Sequence, residues 1–472
     1  MKKVLCLCLA LVMVLGFASC GKKPAGNDEI PTLTWYMPGE KQADIASVME
    51  KANEITVKEI GAKIDLQFID QSAYGEKMKM MMASQTPMDI VFVGYCLNTH
   101  SVVELGGLLD ITDMLPEVTP KLYNELIPEY VWKAASDNGR NYSIPNIQIL
   151  CQYSTLYFRK DLLEKYGYDK QDLITPEALE EYLQKIKDNE PDVIPMRGMF
   201  KWPELTIEGT TGVVYVTKED HKVVDKMTYG DMLNMYKLRN KWYKKGFFRQ
   251  DIDTNSDDTA LYKAGKFAVM VGGWKPGAEA EFKETLGVDY VKADMTTPYM
   301  HTNTVIATQN AISKTSKNPE LALKFIELIN GNVELYNLIC YGVEGKHYNM
   351  TDNNRVEFIA DSGYFPNASW KFGNETKAYL LPAQEDGVKE ETVKANEESI
   401  KSPLLGLIYD TKAVQTEIIQ CENAASQYNI LYATENVEEA FDLLVQKRKE
   451  AGLDRIIEVY QKQVDEYMKN NK

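Results

Sequence analysis

The 472-residue chain contains only four histidines, and the four cysteines beyond residue 20 are widely scattered. His100, His221, His301 and His347 stand far apart and no C-x-x-C occurs, so no metal centre is expected. H-E-x-x-H, G-x-S-x-G, the Walker loop and G-x-G-x-x-G are all missing. Gly265-Lys266 lacks the upstream glycine and the Ser/Thr of a phosphate loop. The run Asp251-x-Asp253-x-Asn255-x-Asp257 starts like a calcium loop. It has Ser256 where the sharp turn needs glycine and Tyr262 where a bidentate Glu belongs, so it reads as a solvated loop with Asp257 or Asp258 capping the next helix. Catalytic residues, cofactors and metals are therefore not expected. After residue 17 there is no long apolar run, so the body is not expected to cross a membrane. Positive charge is also short: 53 Lys and Arg face 69 Asp and Glu, a net charge of −16, which repels nucleic acid and anionic lipid heads.

The first twenty residues are distinctive. Lys2-Lys3, an apolar run from Val4 to Phe17 and small residues before Cys20 form a secretory signal, too short for a membrane span of about 20 apolar residues. Phe17-Ala18-Ser19-Cys20 resembles the lipobox of bacterial lipoproteins, with Phe17 where leucine is usual. That resemblance implies a signal peptide over 1–19, a lipid on Cys20, a polar tether over 20–30, and a protein held at the outer face of the cell membrane. Cys96, Cys151, Cys340 and Cys421 remain in the body and read as small buried or half-buried thiols.

The body is too long for one core and suggests two domains. Strands at Thr32–Met37, Ile64–Phe68 and Asp89–Val93 alternate with helical spacing over Ile45–Ile55 and Tyr74–Ser84, a β-α-β-α-β order. The Met-rich helix near Met78–Met82 reads as core. Tyr142–Pro145 reads as a crossing segment. A second start follows, with strands at Thr155–Phe158, Lys266–Val271 and Thr304–Ile312 and a helix opened by Thr175-Pro176. Asn318-Pro319 opens a further helix, and Asn436 and Asp454 are expected to cap the last two in a mostly helical final third.

Several segments together resemble the extracellular solute-binding proteins of ABC importers, family 1, the carbohydrate-binding, maltose-binding-protein-like group. They are Pro87-Met-Asp-Ile-Val-Phe-Val-Gly94, Leu156-Tyr-Phe-Arg-Lys-Asp-Leu162, Gly265-Lys-Phe-Ala-Val-Met-Val-Gly-Gly-Trp274 and Ala311-Ile-Ser-Lys. Tyr341-Gly-Val-Glu-Gly-Lys-His-Tyr348, Trp370-Lys-Phe-Gly-Asn374, Ser402-Pro-Leu-Leu-Gly406 and Ala451-Gly-Leu-Asp454 resemble a Gram-positive branch with a C-terminal domain of unknown function. The resemblance implies an α/β, two-lobed, periplasmic-binding-protein-like fold of type II. Each lobe would be a mainly parallel sheet flanked by helices, with a hinge and a helical C-terminal part. Lobe 1 is expected over 31–145 and 300–343, and lobe 2 over 146–299 and 344–472.

It further implies a monomeric, non-enzymatic receptor that closes on a carbohydrate, expected to be an oligosaccharide, and serves a permease. Such a site needs aromatic faces for sugar C–H faces and planar polar groups for hydroxyls. Trp274, just past an apolar strand and two glycines, leads the candidates, followed by Phe200, Lys201 and Trp202. Tyr95 follows the buried strand, in a loop lacking the acid that the family supplies there. Glu40 and Lys41 follow the first strand, and Tyr153, Asn303, Trp370 and Asn374 complete the set. A peptide or other polar solute, a secreted glycan-cleaving enzyme and a receptor for a sensor kinase stay open as alternatives.

Overall fold

The computed structural model describes residues 30–152, 154–198, 213–255, 257–272 and 275–471, and the backbone of 207–209. The strands are β1 (Thr32–Pro38), β2 (Lys63–Ile69), β3 (Ile90–Gly94), β4 (Ile144–Pro145), β5 (Thr155–Arg159), β6 (Ile194–Arg197), β7 (Ile207–Gly209), β8 (Val214–Thr217), β9 (Val223–Asp225), β10 (Phe267–Gly272), β11 (Tyr290–Asp294), β12 (Tyr299–Met300) and β13 (Thr308–Ile312), with two short hairpin or edge pairs beyond.

The first sheet has the order β2-β1-β3-β13-β4. Helices Ile45–Ile60 and Gln71–Ala83 return the chain between strands, so β1 pairs in parallel with both β2 and β3. Leu33, Trp35 and Met37 alternate into the core with no exposure, and Met78 of the Met-rich helix is equally buried. Tyr142–Pro145 is not a crossing: its last two residues form β4, antiparallel to β13. The strand expected over Thr304–Ile312 begins only at Thr308, after a short helix Thr302–Val305.

The second sheet runs β11-β5-β10-β6. Here the mainly parallel expectation needs correction, since β5 is antiparallel to both β10 and β11 and only β10–β6 is parallel. The cause is where the strand begins. β5 carries the chain away from the crossing while β10 and β11 run back toward it, so Thr155 lies opposite both Gly272 and Asp294. Leu156 and Phe158 face one core and Tyr157 another, as strand alternation requires.

Three chain passages lie side by side between the halves. Gln152 and Tyr299 exchange backbone hydrogen bonds of 2.8 and 3.1 Å, and β12 pairs with Ile400–Lys401. The segment after residue 343 divides differently from the expectation. Tyr348, Val356, Tyr364, Phe372, Ala378, Ala395 and Leu405 join the first core rather than the second lobe. Helices Gln415–Gln427, Val437–Glu450 and Leu453–Asn470 instead build a separate unit with β8 and β9, around Val214, Val216, Cys421, Ile456 and Tyr460. Asn436 caps its helix as expected, but Gly452, not Asp454, precedes the last one. Among the described residues no helix is long and apolar enough to cross a membrane.

Candidate functional site

Open α/β sheets offer ligands the crevice beyond the carboxyl ends of their parallel strands. In the first sheet that edge is formed by the residues after β1, β2 and β3. Glu40 and Lys41 follow β1, both exposed. Gln42 fastens their loop, donating to the Glu40 carbonyl at 2.9 Å and accepting from the Phe365 amide at 2.7 Å. After β2, Asp70 caps a helix through the Ser72 amide, 2.9 Å, and leaves Gln71 exposed. After β3 the chain turns through Gly94 at φ +128°, where a Cβ would stand 2.1 Å from the Ala307 carbonyl oxygen.

That turn presents Tyr95, 46 % exposed. Its hydroxyl donates to Gln71 Oε1 at 3.1 Å, and its ring lies 5.7 Å from Phe92 and 5.8 Å from Trp370. Half-buried Trp370 is held from below. The Lys371 ammonium sits 4.8 Å from the Trp370 ring centre and donates to the Pro38 carbonyl at 3.0 Å. Burial pushes the Lys371 amine below the usual lysine range. A buried chain of bonds anchors this pair. Trp35 Nε1 donates to Asn310 Oδ1 (2.9 Å), Asn310 Nδ2 to Asn146 Oδ1 (2.9 Å), and Asn146 Nδ2 to the Lys371 carbonyl (2.7 Å). An aromatic pair with adjacent amide and carboxylate groups can cover a sugar C–H face and meet its hydroxyls.

The expected residues therefore separate. Glu40, Lys41, Tyr95 and Trp370 lie at one edge of the first sheet. Asn303, exposed, lies on the short helix leading back into β13. Asn374 is 6 % exposed and holds a turn, accepting from the Thr376 amide and hydroxyl at 3.1 and 2.6 Å. Tyr153, Phe200, Lys201, Trp202, Trp274 and Cys20 lie outside the described residues. Gln71 and Lys371 escaped the sequence reading. Only the adjacency of Lys371 to Trp370 hinted at it, while Gln71 meets Tyr95 only through the fold.

No group of three His, Cys, Asp or Glu that could hold a metal occurs among the described residues. The calcium-like stretch is engaged otherwise. Asp258 holds the N-cap position of the helix Thr259–Lys263 without a side-chain capping bond, Asp257 accepts from the Thr259 amide at 2.9 Å, and Asp253 accepts from the Tyr432 and Ala433 amides at 3.0 and 2.8 Å. Asp258 pairs with Arg197 through two bonds of 2.7 and 2.9 Å. Cys96, Cys151, Cys340 and Cys421 are free thiols, the last three buried. Burial pushes the Cys96 thiol up to about 11, which leaves it a poor nucleophile at neutral pH.

Residues 40–333 match the bacterial extracellular solute-binding protein family, and residues 403–469 match a domain of unknown function, DUF3502. A carbohydrate ABC transporter substrate-binding protein of Streptococcus pneumoniae serotype 4 is 28 % identical over 492 residues, covering 98 % of this chain and 97 % of that one. A crystal structure of the N-glycan transport solute-binding protein NgtS from Streptococcus pneumoniae superposes with a TM-score of 0.82 at 27 % identity, covering 94 % of this chain and 100 % of that one. The complex of NgtS with Man1GlcNAc gives 0.75 at 26 % identity over 93 % of this chain and 100 % of that one. With a five-stranded and a four-stranded sheet joined by three crossing passages and a family match over residues 40–333, this chain belongs to the bacterial extracellular solute-binding proteins.

Proposed function

We propose that this protein captures an oligosaccharide between its lobes and delivers it, chemically unchanged, to the permease of an ABC importer. It works as a monomer anchored outside the cell through lipid on Cys20. The observation that carries this reading is the full-length similarity, at 28 % identity, to a carbohydrate transporter's binding protein. The aromatic pair Tyr95 and Trp370 at the strand ends supplies the matching chemistry. The NgtS complexes with Man1GlcNAc and Man5GlcNAc match this chain with TM-scores of 0.75 and 0.73 at 26 % identity, which supports a glycan of that class as ligand. Glu40, Lys41, Tyr95 and Trp370 form the first-lobe side. Trp274, Trp202, Phe200, Lys201 and Tyr153 are proposed to face them.

Thermal melting with a glycan panel from di- to hexasaccharides, including Man1GlcNAc and Man5GlcNAc, tests the reading. A ligand that binds only the folded state at about 100 times its Kd adds roughly 2.7 kcal/mol. Tyr95→Ala and Trp370→Ala are expected to abolish most of that gain. No shift with any glycan overturns the carbohydrate reading, and a glycan altered in mass after long incubation overturns the non-enzymatic one. Release of a Cys20→Ser protein into the medium tests the anchor.

A further inference from the structure

We propose that the seam between the first lobe and the C-terminal helical unit is a second sugar-binding region, taking the outer units of an oligosaccharide whose first rings sit at Tyr95 and Trp370. The inference rests on the oligosaccharide reading above. A cavity of about 320 Å³ opens at this seam, at the lower end of the ~300–1,000 Å³ usual for ligand sites. Its walls come from three distant parts of the chain: the helix Thr99–Glu104 with the loop at Asp137, the crossing helix Thr302–Val305, and residues 407–415. It adjoins the Tyr95 site. Asn98, just after Tyr95, lines it, and so does Ile306, whose neighbour Ala307 accepts from the Tyr95 amide at 2.9 Å.

The polar lining is held in place. Asp137, 7 % exposed, accepts from His100 Nδ1 at 2.7 Å and from Asn138 at 2.8 Å. A carboxylate only accepts, so the His100 proton sits on Nδ1. His100 Nε2 then has no hydrogen-bond partner among the described residues, with the Glu104 carboxylate 3.6 Å away. Glu104 in turn pairs with Lys412 at 2.6 Å. A line of polar groups thus runs from Asp137 through His100 and Glu104 to Lys412 of the C-terminal unit. Tyr409 adds a half-buried ring, stiffened by Tyr460 stacked behind it at 4.8 Å and 28°. The C-terminal unit is pinned beside this point by Thr302, whose hydroxyl donates to the Leu404 carbonyl and accepts from the Gly406 amide.

The chemical class follows from that mixture. Carboxylates beside the cavity disfavour an anion, and an apolar guest would leave His100 Nε2 unmatched. A sugar offers hydroxyls to the imidazole and carboxylate and a C–H face to Tyr409. Calorimetric titration of the mature protein with Man1GlcNAc and Man5GlcNAc is the test. Tyr409→Ala and Lys412→Ala are expected to weaken Man5GlcNAc by about tenfold or more while barely changing Man1GlcNAc. Tyr409→Phe, which keeps the ring, is expected to retain binding. Equal weakening of both glycans, or of neither, overturns the seam site and leaves the oligosaccharide reading standing. Binding of neither glycan by the unaltered protein overturns both. Hydrogen exchange of the unaltered protein needs no variant: Man5GlcNAc, and not Man1GlcNAc, is expected to protect residues 407–415, and unchanged exchange there also overturns the proposal.

Discussion

The first lobe and the rest of the molecule are held together in different ways. In the first lobe one continuous apolar cluster runs from Leu33 to Leu405, gathering residues from both ends of the body. Beyond the crossing, the buried apolar residues fall into four smaller clusters. Charged groups link elements there: Arg448 with Asp225, Arg197 with Asp258, and Glu180 with Lys241 and Lys245. A single core makes a rigid platform under Tyr95 and Trp370. Divided cores joined by specific charges make the opposite half a set of modules that can be loosened one at a time.

The largest expected effect that could break this contrast lies at Arg448, 1 % exposed. Its guanidinium holds Asp225 and also donates to the carbonyls of Val213 and Cys421 at 2.8 and 3.2 Å. Arg448→Ala strands a buried carboxylate, and a loss of about 3–5 kcal/mol is expected in denaturant melts. Hydrogen exchange should then rise over residues 415–470 before the first lobe responds. If both regions loosen in step, the molecule is one cooperative unit and the contrast fails.

A smaller effect is expected inside the platform. Asn310→Leu leaves Trp35 Nε1 and Asn146 without their partner, a cost of about 1–3 kcal/mol. Because the same chain of bonds sets Lys371 and Trp370, glycan affinity should fall as well; unchanged affinity would show that the network supports only the core. Acidity offers a third probe, at the crossing. Burial, helped by nearby Lys218, lowers the His301 pKa to about 4, so the folded state resists protonation there. Stability is then complete above the ordinary value near 6.5 and is lost as pH falls toward 4, because the unfolded chain binds the proton first. His301→Gln should flatten the melting temperature over this range. Burial alone would raise Glu180, but hydrogen bonds from Lys241, Lys245 and Trp242 outweigh it and hold the carboxyl at about 2, so its loss comes only at lower pH. The smallest effect is expected at the exposed pair Lys237–Glu438, where Lys237→Ala should leave the melting temperature almost unchanged. A larger loss would mean that surface charge also joins the modules.

How much was legible follows from distance along the chain. The strand over Thr32–Met37, the helical spacing over Ile45–Ile55, and Thr175 opening a helix with Pro176 at its start are local signals, and the structure has the expected element at each. The site was legible only in part. Tyr95 and Trp370 could be named from their settings, but their ring contact joins segments far apart in the chain. Two errors share a cause. β4 has only two residues, and the region from 351 to 387 is mostly turns with single-turn helices, so neither carries a periodicity that reveals its partner.

The sequence by itself determined the order of strands and helices, the acidic charge, the missing metal and nucleotide motifs, and which aromatics were worth watching, because all of these depend on composition or short spacing. Only the tertiary structure decided that residues 348–405 belong largely to the first core, that Lys371 stands beneath Trp370, and that the C-terminal unit meets His100 and Glu104. Those facts rest on contacts such as Trp35 with Asn310, 275 positions apart, and no local pattern encodes a partner at that range.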